Sequence, residues 1–284
     1  MAALPPYASP VEVAWYYGFR IICGLILFFL VFPLLVIIPL SFNAVPFFTF
    51  TPEMLSFDPA GYSTKWYEDF FTNLNWQGAV WNSVVIAFFA TIISTSVGTL
   101  AALGLSRPTM PYRTLIMSIL ISPMIVPLII SAAGMFFFYS SIGLQGTHIG
   151  VILAHAVLGT PFVVITVTAT LVGFDNNLIR ASSSLGASPV RTFFQVIVPL
   201  ITPGVISGAL FAFITSFDEV VVVLFVGSFD QRTIPWQMFS GIREQISPTI
   251  LAVATLLTLV SMLLLFSLEL LRRRNEAMRG IKET

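Results

Sequence analysis

Charge is what this chain has least of. Of its 284 residues only 9% are Asp, Glu, Lys or Arg and 57% are hydrophobic, where a soluble domain carries about 25% charged residues. That balance excludes a water-soluble globule and indicates a protein embedded in a lipid bilayer. Cysteine is nearly missing as well. Cys23 stands alone, so no intramolecular disulfide can form, and no paired His or Cys spacing suggests a metal. The pattern Gly-x-x-x-x-Gly-Lys-Ser/Thr does not occur, which excludes ATP binding by a P-loop. Neither an internal repeat nor a low-complexity tract is present. The net charge is zero and gives no reason to expect a nucleic-acid partner.

What is there is apolar sequence in runs of about 20 residues, the length of a helix crossing a ~30 Å hydrocarbon core. Six such runs are predicted, at about 21–40, 79–104, 114–138, 149–173, 200–226 and 249–271. Pro123, Pro127 and Pro161 are expected to kink the third and fourth. With six spans and an inside N-terminus, Arg20, Arg107, Arg113, Arg180, Arg191, Arg272, Arg273, Arg274, Arg279 and Lys282 fall inside. Only Lys65, Arg232 and Arg243, of 13 basic residues, fall outside. Basic residues favour the cytoplasmic side, so both termini are expected there. The first run has no basic residue before Arg20 and no small-residue cleavage site, so it is not expected to be a cleaved leader. Ser9-Pro10-Val11-Glu12 has the form of a capping box opening a short helix within residues 1–20, held at the membrane surface by Trp15, Tyr16 and Tyr17. Residues 21–271 then form the transmembrane domain and 272–284 a basic cytoplasmic tail.

The outer segments are an aromatic-rich stretch at about 41–78, a brief loop at 139–148, and a third at 227–248 with a turn and a short amphipathic helix. The inner segment 174–198 is more elaborate than a connection requires. Asp175 is placed to cap a helix running through Leu178 to Leu185. Gly186 supplies a left-handed stop. Ser188 and Pro189 then form an N-cap and first turn, and Pro199, Pro203 and Gly204 mark a break before the fifth run. An ordinary loop that happens to contain Gly and Pro is the plain alternative. A helix–Gly–helix at a membrane surface is otherwise a handle for another protein.

With these residues in view the chain resembles the inner-membrane permease subunits of ATP-binding-cassette importers, from about residue 15 to 271. Ser63-Thr64-Lys65-Trp66-Tyr67, Asn82-Ser83, Ala101-Ala102-Leu103 and Ser122-Pro123-Met124-Ile125-Val126-Pro127 carry the likeness. Ala154-His155, Pro161-Phe162, Phe217-Asp218-Glu219 and Thr233-Ile234-Pro235 are most similar to its spermidine/putrescine branch. The resemblance implies an all-α integral membrane fold, the six-helix type I (MetI-like) bundle. It also implies a coupling role toward an ATPase for Arg180, Ala181, Ser182, Leu185, Gly186, Ala187 and Ser188. The chain departs from the family at one visible place. The loop usually begins Glu-Ala-Ala and here begins Arg180-Ala181-Ser182. The implied assembly has a second, related permease, two ATPase subunits inside and a substrate-binding protein outside, in a bacterial inner membrane. This chain is expected to be non-catalytic and to bind no cofactor, with ATP and Mg held by the ATPases.

Asp218 and Glu219 are the only acids well inside an apolar run, where a bare charge costs about 2.5–3.5 kcal/mol. Counting 1.5 Å per residue puts Asp218 roughly 22 Å beyond Pro203, on one stripe with Ser207, Phe211 and Thr215. Glu219 is turned about 100° away. A pathway role for Asp218, Glu219, Thr215, Ser207 and Phe217 stands beside a structural one, a neutralised pair or an inter-helix hydrogen bond. No Lys or Arg lies within a span, so carboxylates suit a cationic substrate, to which Phe217, Phe225 and Trp236 would add cation–π contacts. His155 is a helix–helix hydrogen bonder or, with Asp218 and a serine, part of a buried nucleophilic triad. Three functions follow: an importer permease for a polyamine, an opine or amino-acid derivative; a proton-coupled secondary transporter using Asp218 or Glu219; and an intramembrane enzyme using His155.

Overall fold

The computed structural model describes residues 7, 9–107, 109–172, 174–175, 177–244 and 247–278. Its helices in chain order are α1 (Pro10–Leu40), α2 (Pro52–Leu55), α3 (Lys65–Thr72), α4 (Leu74–Leu105), α5 (Arg113–Ile125), α6 (Leu128–Ser141), α7 (His148–Val172), α8 (Asn177–Ser184), α9 (Pro189–Thr192), α10 (Val198–Phe217), α11 (Val221–Val226), α12 (Ile234–Glu244) and α13 (Thr249–Met278). Among the described residues the only extended pairing is an isolated bridge between Asn43 and Tyr62. The chain divides into two units, residues 1–73 with 241–284, and residues 74–240.

In the first unit α1 opens on the capping box expected of it. Ser9 Oγ accepts from Glu12 N–H at 3.3 Å, and Glu12 Oε2 accepts from Ser9 N–H at 2.7 Å. The expected surface helix and first span are one rod, however, unbroken from Pro10 to Leu40. Gly18 and Gly24 do not stop it, because neither stands at a left-handed C-cap. The aromatic-rich segment after α1 is ordered by its polar side chains. Asn43 Nδ2 donates to the carbonyls of Phe47 and Thr49, Trp66 Nε1 to that of Asn43, and Lys65 Nζ to that of Ala44. α3 and α1 both pack on α13, and Thr249 Oγ1 donates to Asp69 Oδ2 at 2.7 Å. The α13 backbone continues through Arg272–Arg274, while the end of the basic tail, with Arg279 and Lys282, lies outside the described residues.

The second unit is built on α4, α7 and α10. Their contact is lined by small residues. Gly204, Gly208, Ala212 and Ser216, each four apart, are the buried side of α10. A Cβ on Gly208 would stand 2.6 Å from Thr166 Oγ1 and 2.8 Å from Val163 Cα, and one on Gly98 would stand 2.7 Å from Val163 Cβ. With no hydrophobic drive between helices in lipid, such close backbone approach is what holds spans together. Pro161 leaves α7 continuous, whereas Val126-Pro127 splits the third run into α5 and α6, bent by 102°. By length and apolarity four helical stretches can cross a membrane among the described residues, or five with the bent pair, and α13 adds the shorter apolar stretch Thr249–Leu263.

The fifth run differs most from expectation. Helix is continuous from Pro189 through a π-helical turn at Phe193–Ile197 into α10, with no break at Pro199 or Pro203. Pro199 follows the π-helical turn, in which Val198 N–H bonds back to Phe193 O. Gly204 serves packing: its added Cβ would collide with Thr170. The break falls instead at residues 218–220, so that 200–226 is two helices and not one.

Candidate functional site

Two groups of expected site residues lie at opposite ends of α10, about 30 Å apart for a 20-residue helix. At its start is the handle. Asp175 Oδ1 accepts from Asn177 N–H at 2.9 Å and opens α8. Gly186, at φ +80°, ends it. Ala187 N–H donates to Ser182 O at 3.1 Å and Gly186 N–H to Ser183 O at 3.0 Å, the paired bonds of a Schellman stop. Ser188 Oγ then accepts from Arg191 N–H and starts α9. A bond of 2.8 Å between Ser182 Oγ and Thr192 Oγ1 ties α8 to α9. Arg180, Ala181, Gly186 and Ser188 are exposed, Ala187 is half-buried, and Leu185 projects at 88% exposure. No atom outside its own turn comes within 4 Å of a Cβ placed on Gly186.

At the far end of α10, Asp218 N–H donates to Ile214 O and closes the helix. Ser207, Phe211 and Asp218 are exposed and Thr215 half-buried, beside the buried side of α10, and Phe211 stacks on Phe162 of α7 with ring centroids 6.1 Å apart. The stripe is therefore real, but Asp218 sits at a helix end. Glu219 parts from it. Its side chain is buried, and Oε1 accepts from Val222 N–H at 2.8 Å, filling one of the vacant donors at the start of α11. Phe217 is half-buried and stacks on Phe213, ring centroids 5.7 Å apart. Phe225 packs against the core shared by α6, α7 and α11, so it is not on the exposed stripe.

His155 is fully enclosed, and its Nδ1 lies 2.8 Å from Ser216 Oγ, joining α7 to α10. Asp218 is exposed and makes no bond to it, so the triad is not assembled. The helix–helix role holds.

Sequence reasoning missed a polar cluster at the start of α7. Asn82 Nδ2 donates to the carbonyls of Asp230 and Arg232 at 2.8 and 3.0 Å, while Oδ1 lies 3.0 Å from His148 Nε2. Ser83 Oγ accepts from Ile234 N–H at 2.8 Å. The Arg232 guanidinium lies over Phe229 and Trp236 and donates to Gln237. Trp236 thus already holds a cation of its own chain. An Asn-Ser pair inside an apolar run was the available signal, since buried amides seek partners.

Residues 94–277 match the family described as binding-protein-dependent transport system inner membrane component. The chain is 31% identical to the spermidine/putrescine transport system permease protein PotC of Haemophilus influenzae over 247 residues, covering 87% of this chain and 93% of that one. It is 30% identical to the putrescine transport system permease protein PotI of Escherichia coli over 240 residues, 81% of each. Among solved structures, a bacterial ABC transporter involved in the import of the acidic polysaccharide alginate superposes with a TM-score of 0.70 at 14% identity, over 93% of this chain and 98% of that one. The inward-facing MetNI methionine ABC transporter superposes with a TM-score of 0.55 at 21% identity, over 72% and 95%. These two share the fold.

Proposed function

The chain belongs to the family of binding-protein-dependent transport system inner membrane components, and we propose that it forms half of the transmembrane pathway for a polyamine in an ATP-driven importer. It is a non-catalytic permease subunit, and its energy comes from ATPase subunits. The likeness to two polyamine permeases across more than four-fifths of the chain carries the substrate class. The exposed carboxylate of Asp218 at the end of α10 supports it, because a desolvated cation passing there needs a negative partner.

In this reading a second, related permease completes the pathway, two ATPases hold ATP and Mg, and a binding protein delivers the solute from outside. Both termini face the cytoplasm, as the bias of basic residues favours. The handle of α8 and α9 meets the ATPase through Arg180, Ala181, Ser182, Leu185, Gly186, Ala187 and Ser188. Dimerisation of the ATPases moves α8. The unbroken helix from Pro189 to Phe217 carries that motion to Ser207, Thr215 and Asp218 as a rigid lever, switching access between sides. Glu219 and Phe217 support this stripe without lining it.

Reconstitution of the complete complex in proteoliposomes tests the proposal. Labelled spermidine or putrescine, added with binding protein, should accumulate only when ATP is enclosed. Uptake driven by a proton gradient without ATP would replace this reading with a secondary transporter. ATP-driven uptake of an opine or amino-acid derivative but of neither polyamine would replace the substrate.

A further inference from the structure

The cluster around His148 is wired in one direction only. Both protons of the Asn82 amide nitrogen are taken, by the carbonyls of Asp230 and Arg232. A carbonyl cannot donate, so the amide cannot be turned over, and Asn82 Oδ1 faces His148 Nε2 as an acceptor. The ring must therefore carry its proton on Nε2. Nδ1 is then a lone pair, and Gln231 Nε2 lies 3.4 Å from it as donor. The Gln231 amide is held in turn, because its Oε1 accepts from Ser228 N–H at 3.0 Å and from Ser228 Oγ at 2.7 Å. Each group has one role, and the chain of donors runs from Ser228 through Gln231 and His148 to Asn82 and the carbonyls of 230 and 232.

We infer that His148 is a positioning residue that latches the 227–233 segment to α4 and α7 in its neutral, Nε2–H form alone, and that a second proton on the ring releases the latch. A proton on Nδ1 would face the Gln231 NH2, donor against donor. Turning the Gln231 amide over would satisfy the ring but leave Ser228 N–H facing an NH2, and Gln231 is only 4% exposed. No arrangement among these groups satisfies all of them with an imidazolium, so a proton on Nδ1 breaks the Gln231–His148 bond. His148 itself is exposed and so reachable by protons. Histidine is the side chain whose charge changes between about pH 5 and 8.

The charged surroundings do not remove the conflict. Neither α4 nor the turn 142–147 contains an acid or base, and α7 contains only His148 and, two turns on, His155, which bonds to Ser216. The ionisable groups on the packed elements are Asp230 and Arg232. Arg232 is drawn to Gln237, Phe229 and Trp236. Asp230 is engaged through its backbone carbonyl, and its side chain is exposed. Release is local and centres on Ser228 and Gln231, because bonds that carry no titrating group still hold the segment at Asp230 and Arg232, through Asn82, and at its two ends. Gly146 N–H donates to Val226 O at 2.8 Å, and Ile234 N–H to Ser83 Oγ at 2.8 Å.

The test uses the full chain in its assembled complex in lipid nanodiscs and does not depend on what is transported. Nitrogen NMR of labelled histidine, assigned by loss of the His148 signals in His148→Gln, should report the Nε2–H tautomer at about pH 8. Amide exchange over 227–233, corrected for the intrinsic effect of pH, should rise about tenfold by about pH 5. His148→Gln offers the same donor and acceptor without titrating and should stay protected at both values. Gln231→Glu places an acceptor opposite Nδ1 and should keep the segment protected in acid. An Nδ1–H tautomer, unchanged exchange in the native chain, or equal acid loss in His148→Gln would each overturn the latch. If His148→Gln fails to assemble, exchange in the native chain and in Gln231→Glu decides, and equal acid loss in both rejects it.

Discussion

Asp218 and Glu219 are adjacent in the chain and opposite in surroundings. The first is exposed at the end of α10, and the second is 8% exposed with its carboxylate 2.8 Å from Val222 N. A single helix would have set the two about 100° apart around one rod. The break between α10 and α11 lets one carboxylate build the fold while the other remains available.

Asp218→Asn keeps shape and hydrogen-bonding capacity but removes charge. The complex should assemble and retain basal ATP hydrolysis, while polyamine uptake falls about tenfold or more, the effect of losing a hydrogen bond to a charged group. Wild-type uptake in an assembled Asp218→Asn complex would reject the pathway role. Glu219→Gln can still accept from Val222 N–H and should be mild. Glu219→Ala removes the cap and should cost about 0.5–2 kcal/mol in stability, read as a lower melting temperature.

Gly186→Val meets no neighbour, so its effect is conformational. A β-branched residue opposes φ +80°, by about 1–2 kcal/mol, and should undo the Schellman turn. Substrate-stimulated ATP hydrolysis and uptake are expected to fall together while the binding protein's affinity stays unchanged. Coupling at the wild-type level would show that the turn does not transmit force.

Arg180→Glu reverses the charge on an exposed residue of the handle. Arg180 is expected to meet an acidic or carbonyl-rich edge of this chain's own ATPase, so pull-down should recover less ATPase. Equal recovery would place the side chain away from the contact.

Gly208→Ala inserts a Cβ 2.8 Å from the Val163 backbone. Overpacking of that kind costs about 1–3 kcal/mol, so the purified chain should unfold at lower temperature. Gly24→Ala, where nothing lies within 4 Å, is the control and should not lower the unfolding temperature, since Ala favours a helix interior over Gly.

Ser216→Ala leaves His155 Nδ1 buried without its partner, and should destabilise by about 1–3 kcal/mol. ATP-coupled uptake per assembled complex should persist, because the pair joins helices and performs no chemistry. Complete loss of uptake with unchanged assembly would contradict that.

What was legible in the sequence is what short-range physics decides. The apolar runs mark the bilayer as solvent, since a helix crossing it needs about 20 such residues. Ser9 with Glu12, Asp175, Gly186 and Ser188 start or stop helices through bonds to groups at most five residues away. Propensity, capping and steric exclusion at the backbone settle such features before any tertiary contact exists. The four-residue spacing of Gly204, Gly208, Ala212 and Ser216 was legible in principle too. Taking Gly204 for a helix breaker obscured it, because glycine serves both a turn and a close approach.

Tertiary structure decided the rest. His155 finds Ser216 across 61 residues, and His148 finds Asn82 across 66 and Gln231 across 83. Whether Glu219 faces a pathway or caps a helix depends on α11 packing against α6 and α7, which no local pattern announces. A polar side chain surrounded by apolar sequence must find a partner. The sequence by itself determined that these residues had such a need, and only the folded arrangement of α4, α7, α10 and α11 determined which distant group met it.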